Sequence, residues 1–558
     1  MITFRPMTLL AAALRRRALL AAGLLALLAG RAGAQVELTH TEDAAPIPRG
    51  MMRLRITTGW TRYDQRYGAN GLEPLGAELS SDSLGAAQFP LLTPIQDALR
   101  SLAGDSQLRL SLGRLVTQGD ARIVTTPIAL EYGLTRRLSI GVVVPVVQAR
   151  RVIGLTVNAS GDANVGFVPS TRRDEAAAAN KSAADSYNTA ATELAGLITS
   201  CQANPSDPAC ATYASDPAGA ASARALAAQM AGAAAALGTT SATALVAPRA
   251  NGAAAQEIQI QRAVLNRQLQ RYLGANATQV SAVFFAPTDF SYIDLQGRDG
   301  TPGLLQGTIG GGLDSIRTVE RLGIGDVSVG VQYLAIDHFQ HDSLPVHGTQ
   351  ARLSVGVGFR FATSRADTAT NLVDIGTGSG AGVELHSALD MIRGRVGGTV
   401  AARYVKSFAR NVSAPLYGDP EAPFPLPSLG RRDRTEGDVL ALDLTPRYLL
   451  SETFAIDLAY GLERHGATTW SAVDTPAADQ PTFCAYVSCA AAAGVARTAQ
   501  RAGLGLRYST VDSYDRGAAR FPFEVSFTHL TTVSGDVGIP KLSRDQIQLR
   551  IFYRLFGP

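Results

Sequence analysis

After residue 34 the sequence lacks any apolar run long enough to cross a membrane as a helix. Charge is also scarce, since Asp, Glu, Lys and Arg make up 18% of the 558 residues. The formal net charge of +4 comes from residues 1–34, which hold five Arg and no acidic residue, so the rest carries −1. Without a basic surplus the chain is unsuited to nucleic acid. A membrane protein without such a helix must be a closed β-barrel, and the alternative is a soluble secreted all-β protein.

Cysteine and histidine are few, with four Cys and seven His. We predict that the cysteines form two loop disulfides, Cys201 with Cys210 and Cys484 with Cys489. Metal binding is the weaker interpretation of these pairs, because no His lies near either of them. The His residues are scattered and no nucleophile-elbow motif is present, so we predict no catalytic, cofactor or metal site.

The N-terminus has the composition of a cleaved export signal. Arg15, Arg16 and Arg17 precede a short apolar run, and the small residues 32–34 suit a cleavage site. We therefore predict a signal peptide over residues 1–34 and a periplasmic N-terminal segment over residues 35–49. That segment could form a short hatch in the lumen of a barrel.

The mature chain alternates apolar and polar residues in twelve segments of strand length. The predicted strands are 50–67, 106–132, 138–151, 322–336, 351–363, 382–391, 397–408, 437–450, 454–464, 497–509, 519–531 and 543–556. The polar face mixes Arg, Asp and Glu with Gly, and aromatic residues gather near strand ends, as in strands between lipid and a polar lumen. We predict a 12-stranded antiparallel transmembrane β-barrel in the outer membrane of a Gram-negative-type bacterium. The second strand is unusually long, and Gln118 to Asp120 could divide it into two.

Short links follow the even-numbered predicted strands, and longer links follow most odd-numbered ones. Because bacterial barrels keep short turns in the periplasm, both termini are predicted to be periplasmic. An alanine-rich stretch, residues 172–275, predicts an α-helical insertion in the second extracellular loop. It divides the barrel into residues 50–171 and 276–558. The insertion could be a cap, a binding surface, a plug or a weakly packed decoration.

Several hairpins carry short sequence motifs that are more specific than the alternation of apolar and polar residues. Residues 131–145 read EYGLTRRLSIGVVVP, and 323–333, 374–380 and 446–456 carry similar short glycine-based phrases. Together they resemble the outer-membrane proteins named for the meta-pathway of phenol degradation. This resemblance covers about 50–150 and 320–556, and not the helical insertion. It implies a barrel that passes or binds hydrophobic compounds, distantly similar in role to long-chain fatty-acid transporters.

The alternation assigns a set of charged residues to the lumen. The predicted lumen-lining residues are Arg53, Arg55, Glu131, Arg352, Arg360, Arg403, Asp443, Arg447, Asp457, Glu463, Arg507, Glu524, Arg550 and Arg554. Such a lumen is either a selective pore or a salt-bridged, nearly closed core, because isolated buried ions are costly.

From these features we predict a monomeric passive channel for small hydrophobic or aromatic compounds. The alternative is a surface-binding or structural barrel whose function lies in the helical insertion. The predicted partners are outer-membrane lipids, small hydrophobic molecules, and the barrel-assembly machinery through the C-terminal strand. The expected recognition residue of that strand is Phe556, displaced two places from the end.

Overall fold

Twelve strand positions form one antiparallel ring. The computed structural model describes residues 43–554 apart from 46, 215–216, 239–244, 299, 308, 311, 341–342, 369, 372, 375, 416–428 and 472–493. The strands are β1 (Met51–Tyr63), β2 (Leu115–Gly133), β3 (Leu138–Val157), β4 (Val319–Ile324 with Ser328–Asp337), β5 (Val346–Arg360), β6 (Gly382–Gly394), β7 (Val396–Ser407), β8 (Val439–Leu449), β9 (Phe454–His465), β10 (Arg497–Ser509), β11 (Phe523–Gly535) and β12 (Ser543–Arg554). Each strand pairs with its neighbours in the chain, and β1 closes the ring against β12. The predicted 12-stranded barrel is confirmed.

The first and last strands set the closure. Met51 lies opposite Arg554, and Arg62 lies opposite Ser543 at the other end of the pair. Short turns lie at the end of the barrel where Met51 and Arg554 meet, and the long loops lie at the opposite end. Since bacterial barrels place short turns in the periplasm, we call these the periplasmic and extracellular ends.

The wall is interrupted within β4. Its upper segment, Val319–Ile324, pairs with β3, whereas its lower segment, Ser328–Asp337, pairs with both β3 and β5. Strand β5 ends at Arg360, opposite Ser328, so β5 does not continue beside the upper segment. Asp374 and Thr377, from the irregular link between β5 and β6, contact the upper segment instead.

Helices gather above the extracellular end. They are α1 (Thr93–Ala103), α2 (Arg173–Ala203), α3 (Ala211–Ala214), α4 (Pro217–Gly238), α5 (Ala253–Leu273) and α6 (Tyr292–Gln296), and α7 (Val511–Asp515) lies in a periplasmic turn. Short 3-10 turns occupy Ala77–Leu79, Pro90–Leu92, Ser170–Arg172 and Pro208–Cys210. Shorter strand pairs join Gln65–Gly68 to Gly71–Pro74 and Val165–Phe167 to Val246–Pro248, and Leu429–Thr435 pairs with Arg410–Pro415 and Thr469–Trp470. None of the helices in the described part of the chain is long and apolar enough to span a membrane.

The helical region is a packed unit with its own core, which we call the cap (residues 76–114 and 158–318). Tyr187 and Leu194 of α2 are buried in one cluster with Phe89, Met230 and Leu265. Burial on this scale is inconsistent with a weakly packed decoration, because each large apolar side chain contributes about 1.5–3 kcal/mol when removed from water. The predicted disulfide between Cys201 and Cys210 is present and joins the end of α2 to the start of α3.

The cap also explains why the predicted start of the second strand, at residue 106, is wrong. Residues 106–114 alternate like a strand, but β2 begins at Leu115. Leu108, Leu110 and Leu112 are buried in the cap cluster, so their alternation with polar residues reflects packing in the cap and not a strand that faces lipid. From Leu115 onward β2 is one continuous strand that includes Gln118 to Asp120. The signal peptide, Cys484 with Cys489, and Phe556 lie outside the described residues.

Candidate functional site: the barrel lumen

A segment of the N-terminus, residues 43–50, enters the periplasmic end of the lumen. Asp43, Ala44 and Ile47 are buried there. The backbone passes so close to Gly133 that a Cβ on this glycine would lie 2.3 Å from the carbonyl oxygen of Pro48. We call residues 43–50 the hatch. The segment predicted as a possible hatch, residues 35–49, is described from residue 43 onward.

Asp43 holds the hatch to the wall. Its carboxylate pairs with the guanidinium of Arg550 and lies 3.8 Å from that of Arg53. On the other side the backbone N–H of Ala44 donates a hydrogen bond of 3.1 Å to Asp390. Burial by itself would raise the pKa of Asp43, but Arg550 and Arg53 outweigh it and hold that pKa well below its ordinary value.

A chain of ion pairs runs around the wall at this level. Seven adjacent strands each supply one or two groups, so that every guanidinium meets a carboxylate from a neighbouring strand. The links are Arg447 to Asp457 at 2.6 Å, Asp457 to Arg507 at 3.2 Å, Arg507 to Glu524 at 3.0 Å, Glu524 to Arg550 at 3.3 Å, Arg53 to Glu131, and Glu131 to Arg55 at 3.6 Å.

The chain of pairs continues on the opposite wall, where Arg352 meets Asp390 at 2.8 Å. Asp390 also accepts a 2.7 Å hydrogen bond from the hydroxyl of Thr399. We call these ten charged wall residues the charged ring. It has six Arg and four carboxylates, so the wall carries a net charge of +2, which Asp43 reduces to +1. The hatch therefore supplies a negative charge that partly neutralises the charged ring.

The extracellular half of the lumen contains a cavity of about 160 Å³. Apolar and hydroxyl side chains line most of it, and charged groups line one corner. The lining residues are Thr61, Tyr63, Ile123, Thr125, Val147, Ala149, Gly376, Thr377, Glu463, His465, Arg501, Ile539, Pro540 and Leu542. An apolar cavity of about 150 Å³ is known to bind benzene in another protein, so this one is large enough for a single aromatic ring.

The charged corner of the cavity has unused hydrogen-bonding atoms. Glu463 pairs with both His465 and Arg501. His465 Nδ1 and Arg501 Nε are buried and have no hydrogen-bond partner among the described residues. A buried polar atom without a partner is costly, but neither atom has surface open to the cavity, so a polar substituent or a water can reach them only if the two side chains move.

The cavity borders the interrupted wall. Thr377, which lines the cavity, donates a 3.2 Å hydrogen bond from its hydroxyl to the carbonyl oxygen of Ile324 at the end of the upper β4 segment. Arg321 of that segment pairs with Asp374 of the same loop at 3.0 Å. Burial opposes ionisation of Asp374, but hydrogen bonds from Arg321 and Thr368 lower its pKa. A loop held by these contacts, rather than a paired strand, separates the cavity from the outside here.

The structure places all fourteen residues predicted for the lumen on the inner side of the alternation. Nine of them belong to the charged ring: Arg53, Arg55, Glu131, Arg352, Arg447, Asp457, Arg507, Glu524 and Arg550. Glu463 lines the cavity, Arg403 lies opposite His386 of β6, and Asp443 lies opposite Gly461 of β9. Arg360 lies at the end of β5, where its Nε donates a hydrogen bond of 2.8 Å to the carbonyl oxygen of Gly380. Arg554 is exposed at the periplasmic end.

Sequence reasoning missed Asp43, Asp390, His386, His465 and Arg501. Four of these lie in strands whose inner faces could have been read from the same alternation, as Glu384, His386 and Asp390 show in β6. Asp43 lies outside any strand, so no periodic signal marks it.

The outward faces carry a continuous apolar belt. Its exposed members, between 38% and 59% accessible, include Ile128, Leu130, Val355, Val357, Phe359, Leu442, Leu444, Leu458, Leu504, Leu506, Phe527 and Ile547. A belt of this extent around a closed ring is incompatible with water on that side and is typical of contact with lipid. The chain is an outer-membrane β-barrel.

Comparisons with solved structures give distant similarities. The COG4313 outer membrane channel from Pseudomonas putida F1 is 8% identical, with a TM-score of 0.37, and the match covers 92% of this chain and 100% of that one. A Pseudomonas aeruginosa FadL homologue is 8% identical with a TM-score of 0.27, covering 95% and 100%. The P. putida toluene transporter TodX is 10% identical with a TM-score of 0.24, covering 90% and 89%.

No family model and no curated protein matches the chain. At TM-scores below 0.5 these similarities do not define the topology or the ligand of this barrel, which rest on its own strands and lumen.

Proposed function

We propose that this barrel is a passive channel for small hydrophobic or aromatic compounds. The observation that carries the proposal is the cavity of about 160 Å³ in the extracellular half of the lumen. Ile123, Val147 and Leu542 supply apolar contacts, and Thr61 and Thr125 add hydroxyl groups. Binding sites for small molecules combine a mostly apolar lining with a few directed polar groups in this way.

The two kinds of lining suggest how a compound lies in the cavity. An aromatic ring packs against the apolar side, and a hydroxyl or carboxyl substituent faces His465 and Arg501. A change in side-chain conformation would bring an unpartnered nitrogen atom of either residue to the cavity surface, where it can hydrogen-bond such a group. Plain hydrocarbons fit the same space but leave those atoms without a new partner.

Two ways into the cavity are compatible with the proposal, from above through the cap or sideways through the interrupted wall. On the periplasmic side the hatch and the charged ring close the lumen, so release requires that the hatch move. This movement needs no energy source in the barrel, because the hatch is held by ion pairs and hydrogen bonds that can exchange with water.

Filling the cavity tests the proposal. Ala149 is buried and lines the cavity, so Ala149→Trp places an indole in the binding space. Ala402 lies on the outer face opposite Leu442, and Ala402→Trp is the matched control that adds the same group toward lipid. We expect Ala149→Trp to reduce uptake of radiolabelled phenol and toluene to the level of cells without the barrel. Uptake equal to that of the unchanged barrel in Ala149→Trp would contradict the proposal.

A disulfide across the interrupted wall distinguishes the two routes. A Cβ at Gly323 would lie 3.5 Å from Cγ2 of Thr377, so Gly323→Cys with Thr377→Cys can bridge the upper β4 segment to the loop. If compounds enter sideways, the oxidised variant loses uptake and regains it after reduction. The unchanged barrel under the same reductant is the control, because it contains the native disulfide between Cys201 and Cys210.

The cap favours a second candidate, a surface-binding barrel. Most of the largest fully buried side chains of the protein lie in the cap, including Tyr187, Phe89 and Phe290. A domain packed this well can present a binding surface independent of the lumen. Absence of conductance and uptake even after the hatch is released would favour this candidate over the channel.

A further inference from the structure

Three arginines stand side by side on the outer surface of the barrel. Arg62 of β1 is paired in register with Arg122 of β2, and Arg122 is paired with Arg150 of β3. All three side chains are exposed and point away from the lumen. We call Arg62, Arg122 and Arg150 the arginine row. Like charges directly opposite one another in a sheet repel, so such a row requires an explanation.

The height of the row places it at the outer membrane interface. From Tyr132, near the periplasmic end of β2, the outward residues run through Leu130, Ile128 and Val124 to Arg122. At about 3.4 Å per residue and a tilt of about 40°, the ten steps from Tyr132 to Arg122 rise about 26 Å. The apolar band of an outer-membrane barrel is about 25 Å tall, so the row begins where the band ends.

An aromatic side chain marks the same boundary. Trp60 lies two residues before Arg62 on the outer face of β1 and is 37% exposed. Opposite it on β2 is Val124, the last apolar residue below Arg122. Tryptophan is enriched where the apolar band meets the headgroups, so the guanidinium groups just above it lie at headgroup level.

The acidic neighbours neutralise only part of the row. Asp120 is 3.5 Å from Arg122, and Glu320 is 2.8 Å from Arg150. Glu320 is 69% exposed at the side chain, and exposed ion pairs contribute little because water competes for each partner. Asp120 is half-buried, and its Oδ2, the oxygen nearest Arg122, accepts no hydrogen bond among the described residues. Within the row and its two neighbouring carboxylates this leaves a surplus of one positive charge. The next carboxylate on this face, Asp545 opposite Trp60, lies 2.8 Å from His529.

We propose that the arginine row binds the phosphate groups of a lipid in the outer leaflet. Guanidinium forks match phosphate oxygens with two parallel hydrogen bonds, and arginines whose Cβ atoms lie about 5 Å apart on adjacent strands can hold one multiply charged headgroup. The acyl chains of that lipid then lie along the apolar belt formed by Val124, Ile128 and Leu130. The site is separate from the lumen and fixes lipid on the β1–β3 side of the barrel.

Native mass spectrometry of the full barrel in a non-ionic detergent tests this site, with purified bisphosphorylated lipid A as the probe. The variants are Arg62→Gln, Arg122→Gln and Arg150→Gln, singly and together. Arg464→Gln is the matched control, because Arg464 is exposed on the outer face of β9 but has Leu440 and Thr498 opposite it instead of Arg. Resistance of the unheated barrel to unfolding in detergent checks the fold of each variant.

We expect each single replacement in the row to weaken lipid A binding about five-fold or more, since each removes a charge-assisted contact. Arg464→Gln is expected to change it less than two-fold, and lipid A without phosphates is expected not to bind at this site. An equal loss in Arg464→Gln, or no loss in the row variants, overturns the proposal. Equal binding of lipid A with and without phosphates also overturns it, because the phosphate groups would then not be what the row recognises.

Discussion

Replacing Asp43 with Asn is expected to release the hatch. Asp43 is 8% exposed, and its carboxylate contacts Arg550 and Arg53 in the charged ring. Removing one partner of a buried ion pair costs about 3–5 kcal/mol, and the amide oxygen of Asn retains part of the hydrogen bonding. We therefore expect hatch docking to weaken by about 2–3 kcal/mol, which is about a 30- to 160-fold shift toward the released state.

Planar-bilayer recording measures this shift directly. We expect Asp43→Asn to open far more often than the unchanged barrel, because the wall regains its full net charge of +2 and admits water. Asp97→Asn is the matched control, since Asp97 pairs with Arg100 at 3.0 Å but is exposed in the cap. If Asp43→Asn and Asp97→Asn conduct alike, the hatch is not held by Asp43 and the reasoning fails.

The pH dependence has a definite sign. Docking lowers the pKa of Asp43 below its ordinary value of 3.8, so the docked state is stabilised where the free carboxyl is ionised. That stabilisation is complete above about pH 5 and is lost as the pH falls below about 4 toward the docked pKa. Conductance of the unchanged barrel should rise over this acid range. In Asp43→Asn the acid-induced rise in conductance should be smaller, because residue 43 no longer titrates. The rise that remains is due to the carboxylates of the wall.

Three further outcomes follow from single contacts. A Cβ at Gly356 would lie 2.7 Å from the backbone carbonyl oxygen of Val331 and 2.1 Å from Nε2 of His386, so Gly356→Ala should lower the heat stability of the folded barrel, measured by its migration before and after heating. Replacing Cys201 and Cys210 with Ser opens a loop closed over a separation of 9 residues and should destabilise the cap by about 2.5 kcal/mol, measured by proteolysis. Leu194→Ala, fully buried in α2, should cost the cap about 2–5 kcal/mol without changing the barrel, which the same two assays separate.

The fold was predictable because the two faces of a barrel strand contact lipid and lumen, so apolar and polar residues alternate along the sequence. In β5, Leu353, Val355 and Val357 face lipid, whereas Arg352 points into the lumen as a member of the charged ring. This alternation is visible in the sequence of β5 alone. One apolar residue of β12 departs from this alternation. Phe552 points inward, where the guanidinium of Arg53 lies over its ring at 5.9 Å.

The pairing of the charged groups was not predictable in the same way. Register decides that Glu131 lies opposite Arg53, and no local pattern states the register between two strands. The interruption of β4 was hidden because residues 325–327 continue the glycine-rich phrase of that strand. The position of Asp43 depends on docking of a segment that has no periodicity of its own.

The division of the lumen into two halves links the hatch to transport. Charged groups concentrate in the ring at the periplasmic end, whereas the cavity above is lined mainly by apolar and hydroxyl side chains. An apolar compound can rest in the cavity but cannot cross a dry ring of ion pairs, because it would separate charges that have no other partner. Release of Asp43 admits water, which solvates the ring and removes that cost. Ion conductance and uptake of hydrophobic compounds should therefore rise together in Asp43→Asn, and a rise in conductance without a rise in uptake would separate the hatch from transport.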